Sequence, residues 1–270
     1  MSSGMSSGMS SGMNSGMTRF LTRLLTRLRA YVGGAFNILS TLFFSIVVLI
    51  ASIFRQQRLA TWMIRGWGRL LLWTFGLRID VEGAENLPRE GGGILVFNHQ
   101  SHLDIPTIVV AADAQIRFGA KIELFKIPFF GIALKSIGTL QIARDNRTEV
   151  LRIYRDAAKR FADNIVFVLA PEGTRQREPK LGRFKKGPFL FAMNAKVPLI
   201  PVVLKGAFEV LPPKRVLVNL GSWRRTIYVR ILPPIDSTRF TSETLGVFVN
   251  EAFTDMNAVF ESLPTASRTS

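Results

Sequence analysis

The chain contains no cysteine and only two histidines, His99 and His102. The absence of thiols excludes a disulfide scaffold, a thiolate nucleophile and any cysteine-based metal site. Two histidines are too few for a histidine-rich zinc site, and any imidazole acid–base chemistry must use one of them. Acidic residues are scarce too, with 19 against 35 lysines and arginines, so the net charge is +16.

No acidic residue occurs before Asp80, whereas eight arginines lie in the first 77 residues. Residues 1–17 repeat a Met-Ser-Ser-Gly unit that has no hydrophobic face, which predicts a disordered low-complexity tail. The next repeat places Arg19, Arg23 and Arg27 on one side of a helix with leucines around them, a pattern typical of helices on anionic lipid surfaces. An organelle transit peptide has a similar composition and is the alternative interpretation.

Residues 35–54 are twenty residues without a charge. As a helix they span about 30 Å, the thickness of a bilayer's hydrocarbon core, which predicts membrane insertion. Residues 61–77 carry three of the four tryptophans, which suits the headgroup layer. Arginines flank the uncharged run on both sides, so the positive-inside rule leaves its orientation open. We expect residues 18–77 to form membrane-anchoring helices, either one span plus an interfacial helix or a shallow re-entrant pair.

Residues 78–270 alternate short apolar runs with longer amphipathic ones. This alternation predicts an α/β domain with a mainly parallel central sheet flanked by helices. The predicted strands are 94–98, 116–120, 139–143, 165–170, 199–204 and 226–232. The predicted helices are 106–112, 123–137, 147–162, 188–194 and 242–263. The domain has neither a Rossmann glycine fingerprint nor a phosphate loop after a strand.

Residues 96–107 read VFNHQSHLDIPT, which places His99 just after a buried strand. The carboxyl ends of strands are where α/β sheets hold their ligands. Asp104 follows five residues later and can fold back on the imidazole, where it would hold one tautomer and stabilise the imidazolium. The alternative is that Asp104 only caps a helix, and His102 is expected to cap or pack. Because a G-x-S-x-G elbow is absent, we expect His99 to activate a substrate hydroxyl.

A second polar cluster, LAPEGTRQ at 169–176, also follows an apolar strand. Its turn brings backbone amides, a hydroxyl and a guanidinium together, a combination that suits an anion. The alternative is a solvated surface turn. Arg144 ends another predicted strand and by itself is compatible with an ordinary sheet-edge residue.

Four ordered blocks resemble those of the glycerolipid acyltransferase family, and above all its 1-acylglycerol-3-phosphate acyltransferases. They are NHQSHLD at 98–104, the strand that ends in Arg144, PEGTR at 171–175 and VPLIPV at 197–202. The resemblance covers about residues 81–232 and implies that His99 is the general base and Asp104 its orienting partner. It further implies a set of residues that bind the substrate phosphate: Arg144, Glu172, Gly173, Thr174 and Arg175. Pro198 and Pro201 would shape the acyl-side wall.

The same resemblance implies transfer of a fatty acyl group from acyl-CoA or acyl carrier protein to the free hydroxyl of 1-acylglycerol-3-phosphate, which gives phosphatidic acid. No metal or bound cofactor is required. We expect the enzyme in a membrane, the bacterial inner membrane, with its catalytic domain on the cytoplasmic face. Alternatives are another lysolipid acceptor, such as a lyso-ornithine lipid or lysophosphatidylglycerol, and a non-catalytic membrane adaptor. Nucleic acid is not an expected partner, because half of the excess charge flanks membrane segments and no RNA- or DNA-binding motif occurs.

Overall fold

The computed structural model describes residues 8–54, 56–142, 147–215, 218 and 225–265. Within these residues, seven strands form one sheet in the order β1-β7-β6-β2-β5-β3-β4. The strands are β1 Leu77–Glu82, β2 Gly93–Phe97, β3 Gln115–Lys121, β4 Leu140–Ile142, β5 Ile165–Leu169, β6 Leu199–Lys205 and β7 Arg225–Ile231. Neighbouring strands are parallel except for β6 and β7, which confirms the predicted mainly parallel sheet.

Helices cover both faces of the sheet. They are α1 Gly8–Ile53, α2 Gln57–Thr74, α3 Asp104–Ala111, α4 Phe130–Ser136, α5 Arg147–Ala158, α6 Gly187–Ala195, α7 Ala207–Val210 and α8 Leu245–Ser262. Strands β2, β5 and β6 are buried along their whole length, as expected for central parallel strands with helices on both sides. The carboxyl ends of β2, β5, β3 and β4 therefore meet at one edge of the sheet, where the polar blocks of the sequence follow.

The first two helices form an antiparallel pair. The indole Nε1 of Trp67 donates a hydrogen bond of 3.0 Å to Thr41 Oγ1. Helix α2 also packs against α3, because Gly68 has no side chain and lets the two backbones approach near Pro106. An ion pair of 2.8 Å between Arg65 of α2 and Asp113, just after α3, links the same two helices. The helix pair is thus attached to the helix that begins at Asp104.

Helix α1 runs alongside the α/β domain. Ala30 belongs to a buried cluster that includes Leu77 and Leu103, and further along α1 Val48 and Ala51 share a second cluster with Ala133 of α4. The stretch Leu24–Ile53 is long and apolar enough to cross a membrane, by length and composition. Because contacts to the domain occur near both ends of this stretch, the helix lies along the domain instead of projecting away from it.

Several boundaries differ from those that the sequence predicts. Helix α1 begins at Gly8, inside the segment expected to be a tail, whereas residues 1–7 lie outside the described residues. Strand β1 was not predicted. The helix predicted at 123–137 is instead a 3₁₀ turn, Ile122–Lys126, followed by α4. Pro128 separates the two, because proline disfavours helical geometry in the residue before it.

Candidate active site

The loop that carries His99 is held at its start by Asn98. The Asn98 side chain donates a 2.8 Å hydrogen bond to the carbonyl oxygen of Leu204 and accepts one of 2.7 Å from the Leu204 N–H. These bonds replace a rung of the β2–β6 ladder just beyond the end of β2. The loop thus leaves the sheet in a defined direction, with the His99 ring 5.4 Å from the Phe97 ring, centroid to centroid.

Asp104 folds back onto His99 as the sequence predicts. Its Oδ2 lies 2.8 Å from His99 Nδ1 and also accepts hydrogen bonds of 2.8 Å from the backbone N–H groups of Gln100 and Ser101. The Asp104 side chain is 1% exposed and that of His99 15%. An ionised carboxylate only accepts hydrogen bonds, so the ring must donate its Nδ1–H to Asp104, and Nε2 is the nitrogen left for a substrate.

The PEGTR turn follows β5 and has a left-handed residue at its centre. Gly173 has a φ of +72°, and a Cβ there would lie 2.8 Å from Lys185 Nζ. Only glycine adopts this conformation at little cost. The turn is further held by the Lys185 N–H, which donates to the Pro171 carbonyl oxygen at 2.8 Å. Thr174 is exposed and Arg175 is partly buried.

Glu172 points beneath this turn and is 4% exposed. Its Oε1 accepts a 3.2 Å hydrogen bond from the Gly182 N–H. Burial raises the pKa of the Glu172 carboxyl to about 7, and the charge of Asp104 adds to the increase, whereas hydrogen bonding by Gly182 and Gln176 opposes it. Burial thus favours the neutral, protonated form of this carboxyl group over the charged form.

The histidine loop and the PEGTR turn are joined directly. The Gln176 N–H donates a 2.8 Å hydrogen bond to the His99 carbonyl oxygen, and the Gln100 side chain donates one of 3.1 Å to the Lys180 carbonyl oxygen. His102 has an exposed side chain and is not packed in the core, and the alternative that it caps a helix stays a prediction. The pKa of His102 is lowered from 6.5 by partial desolvation and then by the charges of Arg175 and His99. Arg175 and His99 thus lie near the same exposed ring.

The structure brings some of the predicted site residues together and leaves others apart. Arg144 lies outside the described residues. Pro198 precedes β6 and its carbonyl accepts a hydrogen bond from Ile94 N–H at 3.0 Å, whereas Pro201 lies inside β6 opposite Val96. The pairing of β2 with β6 sets the position of both prolines, and their part in the acyl-side wall stays a prediction.

One feature beside the site was missed by sequence reasoning. A cavity of about 1170 Å³ opens beside Gly173, between the end of β5 and helices α5, α6 and α8. Its apolar wall includes Tyr154, Leu169, Phe184, Leu190, Val249 and Phe253, and its basic residues are Arg183, Lys185 and Lys186.

Comparison with known proteins matches this arrangement to one family. The family described as Acyltransferase matches residues 78–205. The chain is 32% identical over 183 residues to the 1-acyl-sn-glycerol-3-phosphate acyltransferase of Haemophilus influenzae, which covers 67% of this chain and 73% of that protein. It is 30% identical over 210 residues to the enzyme of the same name from Saccharomyces cerevisiae, with coverage of 76% and 68%.

A chloroplastic relative and a crystal structure extend the comparison. The chain is 35% identical over 167 residues to the 1-acyl-sn-glycerol-3-phosphate acyltransferase BAT2 of Brassica napus, and it spans about half the length of that protein, 47%. The crystal structure of the 1-acyl-sn-glycerophosphate acyltransferase PlsC from Thermotoga maritima has a TM-score of 0.75 at 25% identity, with coverage of 90% of this chain and 99% of that chain. The similarity therefore includes the helix pair as well as the α/β domain.

Proposed function

The chain belongs to the glycerolipid acyltransferase family, and we propose that it transfers a fatty acyl group from a thioester to the free hydroxyl of 1-acylglycerol-3-phosphate. The product would be phosphatidic acid. The observation that supports this most is the 2.8 Å contact between His99 Nδ1 and Asp104 Oδ2 at the end of β2, beside a basic turn that can hold a phosphate.

His99 acts as the general base in this proposal. Asp104 keeps the proton on Nδ1, so Nε2 accepts the proton of the glycerol hydroxyl. The resulting oxygen nucleophile attacks the thioester carbonyl carbon and forms a tetrahedral oxyanion. Collapse of the oxyanion forms the new ester and breaks the C–S bond, and the thiolate recovers the proton from the imidazolium. The proton removed from the alcohol thus leaves on the thiol.

The acceptor phosphate is assigned to the PEGTR turn. Arg175 offers a planar guanidinium, which binds phosphate in a bidentate manner, and the backbone of Gly173 and the hydroxyl of Thr174 lie in the same turn. Arg144 remains a predicted partner from the end of β4. We assign Glu172 a positioning role, because its buried carboxyl group holds the Gly182 N–H below the turn.

The cavity beside Gly173 is proposed to take an acyl chain. Its walls are apolar, whereas the three basic residues Arg183, Lys185 and Lys186 are exposed or at its rim. Such a rim suits the phosphate groups that both coenzyme A and the phosphopantetheine arm of acyl carrier protein carry. Either thioester donor is therefore compatible with the described residues.

We infer that the helix pair attaches the enzyme to a membrane. Many large apolar side chains of α1 are exposed, among them Phe36, Leu39 and Phe43 at 44%, 66% and 61%. Because α1 lies along the domain, a shallow pair in one leaflet fits better than a helix that crosses the bilayer. The bacterial inner membrane and its cytoplasmic face remain our expectation for where this occurs.

The decisive experiment is an acceptor panel with the purified full chain. Thiol release would be followed with acyl-CoA and with acyl carrier protein, using lysophosphatidate, lysophosphatidylglycerol and a lyso-ornithine lipid as acceptors. We expect the highest kcat/KM with lysophosphatidate and phosphatidic acid as the product. A higher kcat/KM with another lysolipid would reassign the acceptor, and no thiol release with any acceptor would favour a non-catalytic adaptor.

A further inference from the structure

A second exposed apolar surface lies on the α/β domain itself, between β3 and α4. Five large apolar side chains within eleven residues are 39–52% exposed. We call them the β3–α4 patch, and they are Ile122, Leu124, Ile127, Phe129 and Ile132. Soluble proteins seldom leave such concentrated apolar area in water, and larger patches of this kind mark contacts with proteins, ligands or membranes.

The segment that carries the patch has a defined fold. Gly131 lies against the backbone of Phe125, so the 3₁₀ turn packs onto the start of α4. The Gly131 N–H donates a 2.8 Å hydrogen bond to the Ile127 carbonyl oxygen. Phe129 has a φ of +58°, a region that an aromatic residue seldom adopts, and its side chain is 52% exposed. Backbone strain of this kind is concentrated at functional sites. An exposed phenylalanine in a strained conformation therefore indicates that the Phe129 side chain has a functional role.

The patch adjoins the outer face of α1. Ala133 is buried against Val48 and Ala51 of α1, and its neighbour Ile132 is 52% exposed. On the α1 side of the same contact, Ile50 and Ile53 are exposed to a similar or greater extent, at 49% and 66%. Exposed apolar side chains of the helix pair and of the α/β domain thus lie on both sides of the contact between α1 and α4.

Basic residues surround the patch. From Lys121 to Lys135 the chain carries three lysines and one acid, Glu123, a net charge of +2. Glu123 forms a 2.9 Å ion pair with Lys121, which leaves the charges of Lys126 and Lys135 for other partners. Lysines beside an apolar surface are attracted to anionic lipid headgroups. Charge and apolarity therefore both favour a lipid surface over a protein partner.

We propose that the β3–α4 patch inserts into the lipid surface next to the active site, so that the α/β domain contacts the bilayer directly. The proposal rests on the membrane attachment proposed above for α1 and α2. Strands β2, β5 and β3 are parallel, so Lys121 at the end of β3 and His99 after the end of β2 lie on the same, carboxyl-terminal side of the sheet. The proposed lipid contact is therefore on the side of the sheet that carries His99. An amphiphilic acceptor then moves from the leaflet to Nε2 of His99 without its acyl chain crossing water.

The absence of cysteine from the chain makes this proposal directly testable. Single variants Ile127→Cys and Ile132→Cys of the full chain would each carry an environment-sensitive fluorophore. Leu39→Cys on α1 tests the helix pair, and Val247→Cys, on α8 and 59% exposed, is the control outside both surfaces. Vesicles of phosphatidylethanolamine and phosphatidylglycerol would contain acyl-brominated phosphatidylcholine as a quencher. We expect a blue shift and quenching at positions 127, 132 and 39, and neither at 247.

The other outcomes separate the two proposals. Quenching at 39 but not at 127 and 132 would overturn the patch proposal and leave the attachment by α1 intact. Quenching at none of the positions would contradict both. A blue shift at 127 and 132 that grows with protein concentration in the absence of vesicles would assign the patch to a second copy of the chain and overturn the lipid proposal.

Turnover gives a second measurement. In the double variant Ile127→Ser/Ile132→Ser, lost apolar burial should lower kcat/KM on vesicle-bound acceptor about tenfold or more, with kcat/KM on a short-chain, monomeric acceptor unchanged. Val247→Ser is the matched control and should match the unmodified chain with both acceptors. An unchanged kcat/KM on vesicles would overturn the proposal.

Discussion

The backbone N–H of Gln176 donates a 2.8 Å hydrogen bond to the carbonyl oxygen of His99. This bond helps to connect the loop after β2 with the turn after β5, and its two residues lie 77 positions apart in sequence. It holds the PEGTR turn at a defined position relative to the imidazole of His99. If the turn holds the acceptor phosphate as proposed, this backbone contact would help to set the distance from the phosphate to the reacting hydroxyl, which is how positioning contributes to catalysis.

Removal of the imidazole is expected to abolish most of the activity. His99→Ala should lower kcat by about 10²–10⁴-fold, because general-base catalysis contributes that much. Asp104→Asn should also be severely impaired, since an amide at that position stabilises the wrong tautomer. Thiol release with lysophosphatidate measures both. His102→Ala is the control and should keep most of the activity, and near-normal turnover of His99→Ala would contradict the mechanism.

Loss of the guanidinium should affect the acceptor and not the donor. Arg175→Ala is expected to raise the KM for lysophosphatidate about ten- to a hundredfold, the equivalent of about 1.5–3 kcal/mol per charge-assisted bond. Arg175→Lys should recover only part of this loss, and Arg144→Ala should behave like Arg175→Ala. Steady-state kinetics in both substrates separates the two KM values.

The matched control for the guanidinium variants is Arg239→Ala. Arg239 is an exposed arginine after β7 that is paired with Glu251, and its removal should leave both KM values unchanged. A monoacylglycerol, which lacks the phosphate, provides the second comparison. An equal loss of activity with this neutral acceptor would contradict the assignment of Arg175 and Arg144 to the phosphate.

The stability of the protein should depend on pH through Glu172. Burial raises the pKa of its carboxyl group from 4.5 to about 7 in the folded state, so the folded protein binds this proton more tightly than the unfolded chain. The resulting stabilisation is fully present below about pH 4.5 and is lost as the pH rises through about 7, an effect of about 3 kcal/mol at ~1.36 kcal/mol per pKa unit.

Thermal unfolding in detergent at pH 5 and pH 8 tests this pH dependence. Glu172→Gln should have a smaller difference in Tm between the two pH values than the unmodified protein. Glu178→Gln, an exposed glutamate in the same loop that is paired with Lys180, should retain the full difference. If Glu172→Gln kept the same pH dependence as the unmodified chain, another group would be responsible for it.

The contact between α2 and α3 should tolerate no side chain at Gly68. A Cβ there would lie 3.0 Å from Val110 and 3.1 Å from the Pro106 carbonyl oxygen, so Gly68→Leu must separate the helices at a cost of about 1–3 kcal/mol. Because α3 begins at Asp104, kcat should fall together with Tm. Gly34→Leu, at a helical glycine with open space around it, should preserve both. Equal Tm values for the two variants would show that the helices are not tightly docked.

Membrane extraction should distinguish insertion from charge attraction. Salt is expected to remove only the contribution of Arg19, Arg23 and Arg27, because surface charges are screened within about 8–10 Å at physiological ionic strength. The protein should stay in the membrane pellet in high salt and in carbonate and be released by detergent. Deletion of residues 1–17 should change neither behaviour. Release by salt alone would refute insertion and leave only an interfacial helix.

Local signals in the sequence were enough for part of the fold and of the site. The central strands β2, β5 and β6 were predicted within one residue at each end, because each is an apolar run buried on both faces. His99 and Asp104 were predicted as a pair because Asp104 follows His99 by five positions. In each case the signal that supports the prediction lies within a short stretch of sequence.

The features that were missed depend on distant partners. Strand β1 contains Asp80 and Glu82, and two acids in six residues are not typical of a strand in a buried sheet. In the structure both form ion pairs with Arg230 of β7, at 3.1 and 2.9 Å. The bond between Gln176 and His99 and the cavity beside Gly173 join elements that only the folded sheet brings together. Neither leaves a local pattern, since the contributing residues are ordinary in their own segments.

The pairing of β1 with β7 has a consequence for biosynthesis. Register partners such as Asp80 and Tyr228 are about 150 residues apart. At roughly 5–20 residues per second, β1 therefore leaves the ribosome about 7–30 s before β7, its one neighbour among the described strands, is synthesised. During that interval its backbone edge is unpaired, and such an edge promotes aggregation. Helix α2 ends at Thr74, and two residues separate it from the start of β1 at Leu77. Early attachment of the helix pair to a bilayer would therefore hold β1 at the membrane surface. It would limit pairing of the β1 edge with other nascent chains until β7 is available.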